Sequence, residues 1–477
     1  MRGDAGADGA HAPGSAGVSP TAAGAAAAKL ESAVGQAFLV TDAKTLGNYL
    51  ADGLAPSLVV QPGNAEETAA VVRIAAEERL GVIPSGARTA LGVGMPPASY
   101  DLALDMTRLT GIASYDPGDL TISVNAGMPL AELERVLGEK HQFLPLAVPF
   151  FEKATVGGAI AAGLDSPLRQ FYGTPRDFLI GAEFVDGTGA QAKSGGRVVK
   201  NVTGYDFHKL LNGSLGTLAV ITRLNFRTYP VPPARRGFVA SFADESGALR
   251  LVKAIAASAL TPLAVELISP ECAAILLHEQ AMRASLRTAQ EEWTLCVGFE
   301  GTAEVCERYA RELSRLAREA AAQNALVLHD AQFAVLLDIL REAPVTMRGR
   351  AAEAVVMRFT ALPSDMADLL RALRSFAGSS WMTPALLVRA GAVVYAALSP
   401  RQGDESALKQ MGYFWNSIGS LSGKLEFRGT LVFCPAEWKP ALDVWAHVKS
   451  DAETERRVKK AFDPHGVFAR GRFVGGI

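Results

Sequence analysis

Two glycine-rich stretches constrain this chain more than any other feature. They are Pro84-Ser85-Gly86-Ala87-Arg88-Thr89-Ala90-Leu91-Gly92 and Thr155-Val156-Gly157-Gly158-Ala159-Ile160-Ala161-Ala162-Gly163. Glycine has no Cβ and reaches positive φ without strain, so each stretch marks a backbone that bends sharply or lies against something large. Each stands beside an apolar, strand-like run, which suggests a diphosphate held mainly by main-chain amides. Neither is a G-x-G-x-x-G fingerprint opening a helix after the first strand, and neither contains the G-K-[ST] of a P-loop.

At 477 residues the chain is too long for one ordinary core, and two or three domains are expected. A net charge of −2 offers no basic field for nucleic acid. The one dense basic run, Arg456-Arg457-Val458-Lys459-Lys460, reads as a solvated helix face or a patch for an acidic protein partner. Cys272, Cys296, Cys306 and Cys434 form no CxxC pair, so zinc, iron–sulfur and disulfide frameworks lack support and buried free thiols are expected. No run approaches the roughly 18 apolar residues of a membrane span. The N-terminus lacks a continuous apolar h-region, so a cytoplasmic protein is expected, with any membrane association made through partners.

Residues 1–30 are mostly Ala, Gly, Pro and Ser and are expected to be disordered, although helix from Ala25 to Val34 is compatible with the sequence. From about residue 50 an α/β pattern begins. Ser57–Gln61 reads as a strand. Asn64 and Glu67 have the spacing of a capping box for a helix running to Glu78. Val82–Pro84, Leu102–Met106 and Thr121–Ala126 read as further strands, and Leu179–Val185 with Asp186-Gly187 as a hairpin with a two-residue turn. The cluster Tyr229-Pro230-Val231-Pro232-Pro233 is the best linker candidate, which sets a first domain at 50–232. Beyond it, strands and helices alternate as in an α+β domain over 235–435, with two ferredoxin-like halves. Ala436–Phe462 reads as helix, followed by a turn-rich tail to 477 that returns to the first domain.

A third segment sharpens the reading of the two glycine stretches. Lys200-Asn201-Val202-Thr203-Gly204-Tyr205-Asp206 precedes Gly213-Ser214-Leu215-Gly216-Thr217-Leu218 and an apolar strand. Cations, amides, an aromatic and clustered glycines suit a flavin adenine dinucleotide, whose phosphates want amides and whose flat ring wants close backbone. The ordered set resembles the FAD-binding domain of the vanillyl-alcohol oxidase (para-cresol methylhydroxylase) family. It comprises the P-S-G-x-R-T loop, the V-x-A-G strand, T-V-G-G, the D-G hairpin and G-S-L-G-T-L. The Lys200–Asp206 segment and Phe462-Asp463-Pro464-His465-Gly466-Val467-Phe468 are similar to the E subunits of bacterial glycolate oxidases. The resemblance implies an α+β fold, in which a two-subdomain FAD-binding domain of the para-cresol methylhydroxylase type is followed by an α+β, ferredoxin-like cap.

Carried across, it also implies that Ser85, Gly86, Ala87, Arg88, Thr89 and Ala90 cradle the pyrophosphate. Thr155, Gly157 and Gly158 would line the other side of the flavin. Gly163, Arg176, Asp177, Val220 and Ile221 would surround the ribose and adenine. Arg88 either pairs with a phosphate or points to solvent; Lys200 and Tyr205 either face the ring or brace their loop. Relatives that tether the flavin use a histidine in the first loop, where this chain has Ala87, Arg88 and Thr89, so non-covalent FAD is expected.

The catalytic residues stay open. Among histidines of the cap, His278, His329 and His447 have no paired spacing, and His329-Asp330 suits a helix cap. His208 is nearer the expected flavin and is a candidate base. Arg358 and Arg389, on apolar strands, either bind a substrate carboxylate or are paired inside the sheet. No metal site is expected. The resemblance implies a subunit of a glycolate oxidase-like complex, acting on a small 2-hydroxy acid such as glycolate beside a second FAD-containing subunit and an iron–sulfur subunit. Alternatives are a self-sufficient FAD-dependent 2-hydroxy-acid dehydrogenase and a flavin-binding scaffold without turnover of its own.

Overall fold

The computed structural model describes residues 20–197, 204–277, 291–349, 353–380, 383–400, 405–445 and 451–477. Its first layer is a four-stranded sheet in the order Leu39–Val40, Leu58–Val60, Leu102–Asp105, Val82–Ser85, with the last three strands parallel. The helix Ala65–Glu77 connects two of them. Asn64 Oδ1 accepts from the Glu67 amide at 2.7 Å, while a Glu67 carboxylate oxygen accepts from the Gly63 amide at 2.7 Å. The helix start thus satisfies its own orphan amides.

The expectation of disorder through residue 30 is corrected in part. A helix spans Pro20–Val34 and buries Ala26, Leu30 and Val34 against Val71, Val72 and Ala75 of Ala65–Glu77. Spaced four apart, these three residues form one apolar stripe, and docking it recovers more free energy than an isolated Ala-rich helix has alone.

The second layer is a five-stranded sheet in the order Ile112–Asp116, Thr121–Asn125, Ala219–Arg227, Leu179–Asp186, Gln191–Gly195. Its hairpin between Leu179–Asp186 and Gln191–Gly195 closes over four residues rather than the two expected. The Asp186 carboxylate accepts from the amides of Thr188 at 2.8 Å and Ala190 at 3.1 Å, which widens the turn. The expected linker does not run free: Tyr229–Pro230 pairs antiparallel with Gln142–Phe143.

The cap is one eight-stranded sheet in the order Asn324–Leu328, Ala234–Phe242, Trp293–Gly301, Ala264–Ile268, Ala385–Arg389, Val393–Leu398, Val355–Ala361, Phe427–Phe433. Each half follows the ferredoxin-like strand order, and the halves join edge to edge where Ala264–Ile268 pairs with Ala385–Arg389. At that seam Glu266 lies opposite Arg389. The Arg389 Nε–H donates to both Glu266 carboxylate oxygens, at 3.0 and 3.1 Å, with both side chains fully buried. Such a pair contributes little net stability, because desolvation offsets attraction; a one-residue slip would strand both charges, so the pair fixes register.

The continuous helix expected over Ala436–Phe462 is also corrected. The described residues give a turn at Ala436–Trp438, a short helix Lys439–Leu442 and, separately, the helix Ala452–Phe462. Pro440 starts the short helix, and Asp443 ends it at φ 48°. The tail then returns to the first sheet, where Val82 and Phe468 bridge in parallel.

Candidate functional site

The two glycine stretches come together as opposite walls of one cavity. It is lined by Ser85–Leu91, by Thr155, Gly157, Gly158, Ala161 and Ala162, and by Leu215, Gly216 and Ala219–Ile221. Thr155 caps the helix Val156–Ala162, its Oγ1 accepting from the Gly158 amide at 3.3 Å. Gly157 lies so close to Ala126 that an added Cβ would stand 2.7 Å from the Ala126 Cβ. In the other wall Arg88 takes φ 65°, a left-handed conformation that turns neighbouring amides into one concavity. The Arg88 guanidinium packs over the Tyr49 ring at 4.5 Å and lies 3.4 Å from Asp105, so the protein anchors it inward.

Two polar atoms in this cavity wall are buried without any hydrogen-bond partner, Ser85 Oγ and Arg472 Nε. A buried polar group left unpaired costs about 1–3 kcal/mol, so both atoms call for a polar ligand. Narrow glycine walls, a concave run of amides, orphaned donors and apolar sides from Met106, Val220 and Ile221 fit a flavin dinucleotide. Arg472 was not anticipated in the sequence, because it reaches the cavity only after the whole cap has been threaded.

A second cavity, of about 110 Å³, adjoins the first and shares Thr89, Ala90, Ala162 and Leu215 with it. It lies between the first domain and the cap sheet. Tyr395, Arg358 and Thr430 face it from three neighbouring strands, Tyr395 and Thr430 each standing directly opposite Arg358. The Arg358 residue is half-buried, and its guanidinium makes no hydrogen bond or ion pair with a described residue. Asp165 enters from the first domain. Its Oδ2 accepts from the Tyr395 hydroxyl at 3.4 Å, and its Oδ1 accepts from Arg169 at 3.0 Å. Burial pushes the Tyr395 hydroxyl pKa up, and the neighbouring Asp165 carboxylate adds to it, so Tyr395 stays a neutral donor.

The other candidates lie elsewhere. Gly163 lines the second cavity rather than the first, ending its helix at φ 62°. Arg176 and Asp177 are exposed and line neither cavity; Asp177 is occupied in capping the short helix Pro175–Phe178, accepting from Thr174 N at 2.7 Å. Lys200 falls outside the described residues, as do His278 and His447. Tyr205 is 82% exposed, its ring against Phe207 and its carbonyl accepting from Ser194 Oγ.

His208 also lines neither cavity. It is buried under the hairpin with Nδ1 3.0 Å from Ser194 Oγ, and burial lowers its pKa. The geometry makes it a packing residue. Arg389 is spent on the seam with Glu266 and on the Leu340 carbonyl at 2.7 Å, and its Nη1 lies 3.9 Å from Asp165 Oδ2. Arg389 lies behind the Asp165 carboxylate, outside the cavity lining, instead of meeting a ligand. His329 caps the helix Asp330–Thr346. No cluster of three metal-ligating side chains occurs among the described residues, and none of their helices is long and apolar enough to cross a membrane. The three cysteines Cys272, Cys296 and Cys306 are buried free thiols, and Cys434 is a partly buried one.

This architecture matches known families. The FAD binding domain family matches residues 56–195, and the C-terminal domain of FAD linked oxidases matches residues 231–409. The chain belongs to the FAD-linked oxidoreductases. FAD is accordingly its cofactor, and the lining of the first cavity is of the kind that suits it. This FAD-linked oxidoreductase is 25% identical over 323 residues to glycolate oxidase subunit GlcD of Bacillus subtilis (strain 168), with 68% of each chain covered. It is 36% identical over 164 residues to glycolate oxidase subunit GlcE of Escherichia coli (strain K12), covering 34% of this chain and 46% of that one. It is 34% identical over 180 residues to a D-2-hydroxyglutarate dehydrogenase of Xanthomonas citri pv. viticola, covering 38% of each. The match thus spans less than half of the latter two relatives. In fold it is similar to p-cresol methylhydroxylase with substrate bound, with a TM-score of 0.76 at 15% identity over 96% of this chain and 97% of that one. It is also similar to an alkyldihydroxyacetonephosphate synthase, with a TM-score of 0.71 at 18% identity over 93% and 85%.

Proposed function

We propose that this chain oxidises a small 2-hydroxy acid with non-covalent FAD, as a subunit of a glycolate oxidase-like assembly that passes the electrons to partner subunits. The observation that carries the reading is Arg358: a half-buried guanidinium with no counter-ion among the described residues, in a cavity sharing four residues with the flavin cavity. A guanidinium binds a carboxylate in bidentate fashion, and an unpaired one at such depth is stabilised by an anionic ligand. Similarity to two glycolate oxidase subunits and to a 2-hydroxyglutarate dehydrogenase supports the substrate class.

When bound, FAD supplies a two-electron acceptor for the carbinol carbon. The chain's own residues do the rest. Arg358 holds the carboxylate and so directs the hydroxyl-bearing carbon toward the shared wall. Asp165 Oδ2, partnered by the Tyr395 hydroxyl, is the acceptor within the cavity for the substrate's hydroxyl proton. Phe150, Phe433 and Trp445 exclude bulk water. Because these groups belong to one chain, the reading in which this subunit turns over its own substrate is favoured over a flavin-binding scaffold.

The test is anaerobic addition of glycolate or lactate to the purified holoprotein while following its visible flavin absorbance. Bleaching in the wild type, lost in Arg358→Met at the same acid concentration, is the expected result. An unbleached wild type would overturn substrate turnover by the lone chain. Co-purification from the native host then tests for a second flavoprotein and an iron–sulfur subunit.

A further inference from the structure

The loop leaving the first glycine stretch is gripped from across the molecule. Four consecutive carbonyls, those of Leu91, Gly92, Val93 and Gly94, each accept a hydrogen bond from a buried cation of the C-terminal segment. The Arg472 guanidinium takes Leu91 and, at 2.6 Å, Val93; the Lys439 ammonium takes Gly92 at 2.6 Å and Gly94 at 3.0 Å. The segment is a run of turns and bends, with Gly94 at φ 91°, and its four carbonyls are shared alternately between the two cations. Lys439 is also paired with Asp52, next to the first sheet. Main-chain contact runs the other way as well, with the Arg472 carbonyl accepting from the Met95 amide at 3.0 Å.

Arg472 has no ion-pair partner among the described residues, and Lys439 has Asp52 alone, so the loop carbonyls are needed to satisfy both cations. Both side chains lie almost wholly out of solvent. Taking a charge into the interior is expensive unless its donors are satisfied. The loop carbonyls and Asp52 take all three donors of Lys439, and the loop carbonyls take the Nη2 donors of Arg472. The other N–H groups of Arg472 have no partner among the described residues, and Arg472 lines the first cavity.

We propose that Arg472 and Lys439 form a two-cation clamp that sets the flavin loop in its binding conformation, with the Arg472 guanidinium, part of the cavity wall, donating to the bound nucleotide. Lys439 is a positioning residue, since it reaches the cofactor only through the loop. Arg472 does both. The inference rests on the first cavity being the FAD site. It goes beyond that assignment by making the C-terminal segment part of the site and by requiring that cofactor binding and docking of the segment stabilise each other.

The experiment titrates FAD into apo-protein, following quenching of flavin fluorescence, for the wild type, Arg472→Met, Arg472→Lys and Lys439→Met. Arg472→Met is expected to weaken FAD at least tenfold and Lys439→Met several-fold, with Arg472→Lys recovering part of the loss. A merely structural role would lower the apo-protein's melting temperature without changing the affinity of the molecules that stay folded. Hydrogen exchange on the wild type provides a second reading that needs no variant. Added FAD is expected to slow exchange both at 91–95 and at 467–473. An Arg472→Met affinity within twofold of wild type, or protection of the loop without the tail, would overturn the clamp. If neither wild type nor variants bind FAD, the cavity assignment fails instead.

Discussion

Gly86 and Thr155, distant in sequence, meet so closely across the first cavity that Gly86 has no room for a Cβ beside Thr155 Oγ1. The same Oγ1 caps the helix Val156–Ala162, so the two walls are set by one contact. Gly86→Ala is therefore expected to push the walls apart. It should destabilise the protein by about 1–3 kcal/mol, as overpacking does, and strip most FAD from the purified protein. The flavin-to-protein absorbance ratio and a urea titration measure both. Wild-type flavin content in Gly86→Ala would remove this contact from the account of the site.

Arg358→Met separates substrate binding from cofactor binding, because Arg358 lines the second cavity and not the first. A hydrogen bond to a charged group contributes about 1.5–3 kcal/mol, so KM for a 2-hydroxy acid should rise roughly 10- to 100-fold. Flavin content should hold. If KM stays put while kcat collapses, the arginine acts on the reaction and not on the carboxylate.

The helix Pro20–Val34 is testable through Leu30, which is fully buried against the first sheet's helix. Leu30→Ala is expected to cost about 2–5 kcal/mol, as a large-to-small core substitution does. An unfolding midpoint unchanged from wild type would mean the helix does not dock in solution.

His208 makes stability depend on pH in a defined direction. Its folded-state pKa lies below the ordinary 6.5 because burial disfavours the imidazolium. The unfolded chain therefore binds the proton first as pH falls. The contribution is complete above about 6.5 and is lost progressively as pH drops from there toward the folded value. Urea midpoints at pH 7.5 and 5.5 (roughly one unit either side of an unperturbed histidine) should differ less for His208→Gln than for wild type. An identical slope would assign the acid sensitivity to other groups.

Legibility in the sequence followed the range of the interactions. The Asn64–Glu67 cap, the glycine walls and most strand positions were readable because their chemistry is local. Arg358 and Arg389 were not distinguishable, since both sit on apolar strands with the same alternation. Only the seam, where Glu266 falls opposite Arg389, shows which one is spent and which is free. Arg176 and Asp177 follow the glycine motif closely in sequence, yet a capping box turns them to solvent. Lys439 and Arg472 gave no signal, because nothing near them in the chain records a partner at Gly92 or Leu91. The break at Asp443 was hidden for a related reason: a group that meets it, the Trp415 indole N–H donating to its carbonyl, comes from elsewhere in the chain.

The clamp also imposes an order of events on synthesis. The loop at 91–94 emerges from the ribosome before the cap, and Arg472 only after it. Until Arg472 arrives, the flavin loop lacks two of its four anchors, so a nascent chain would hold FAD weakly however well its first domain has folded. Cofactor capture would then report that the cap has been made and threaded past, and chains stalled within the cap would remain colourless.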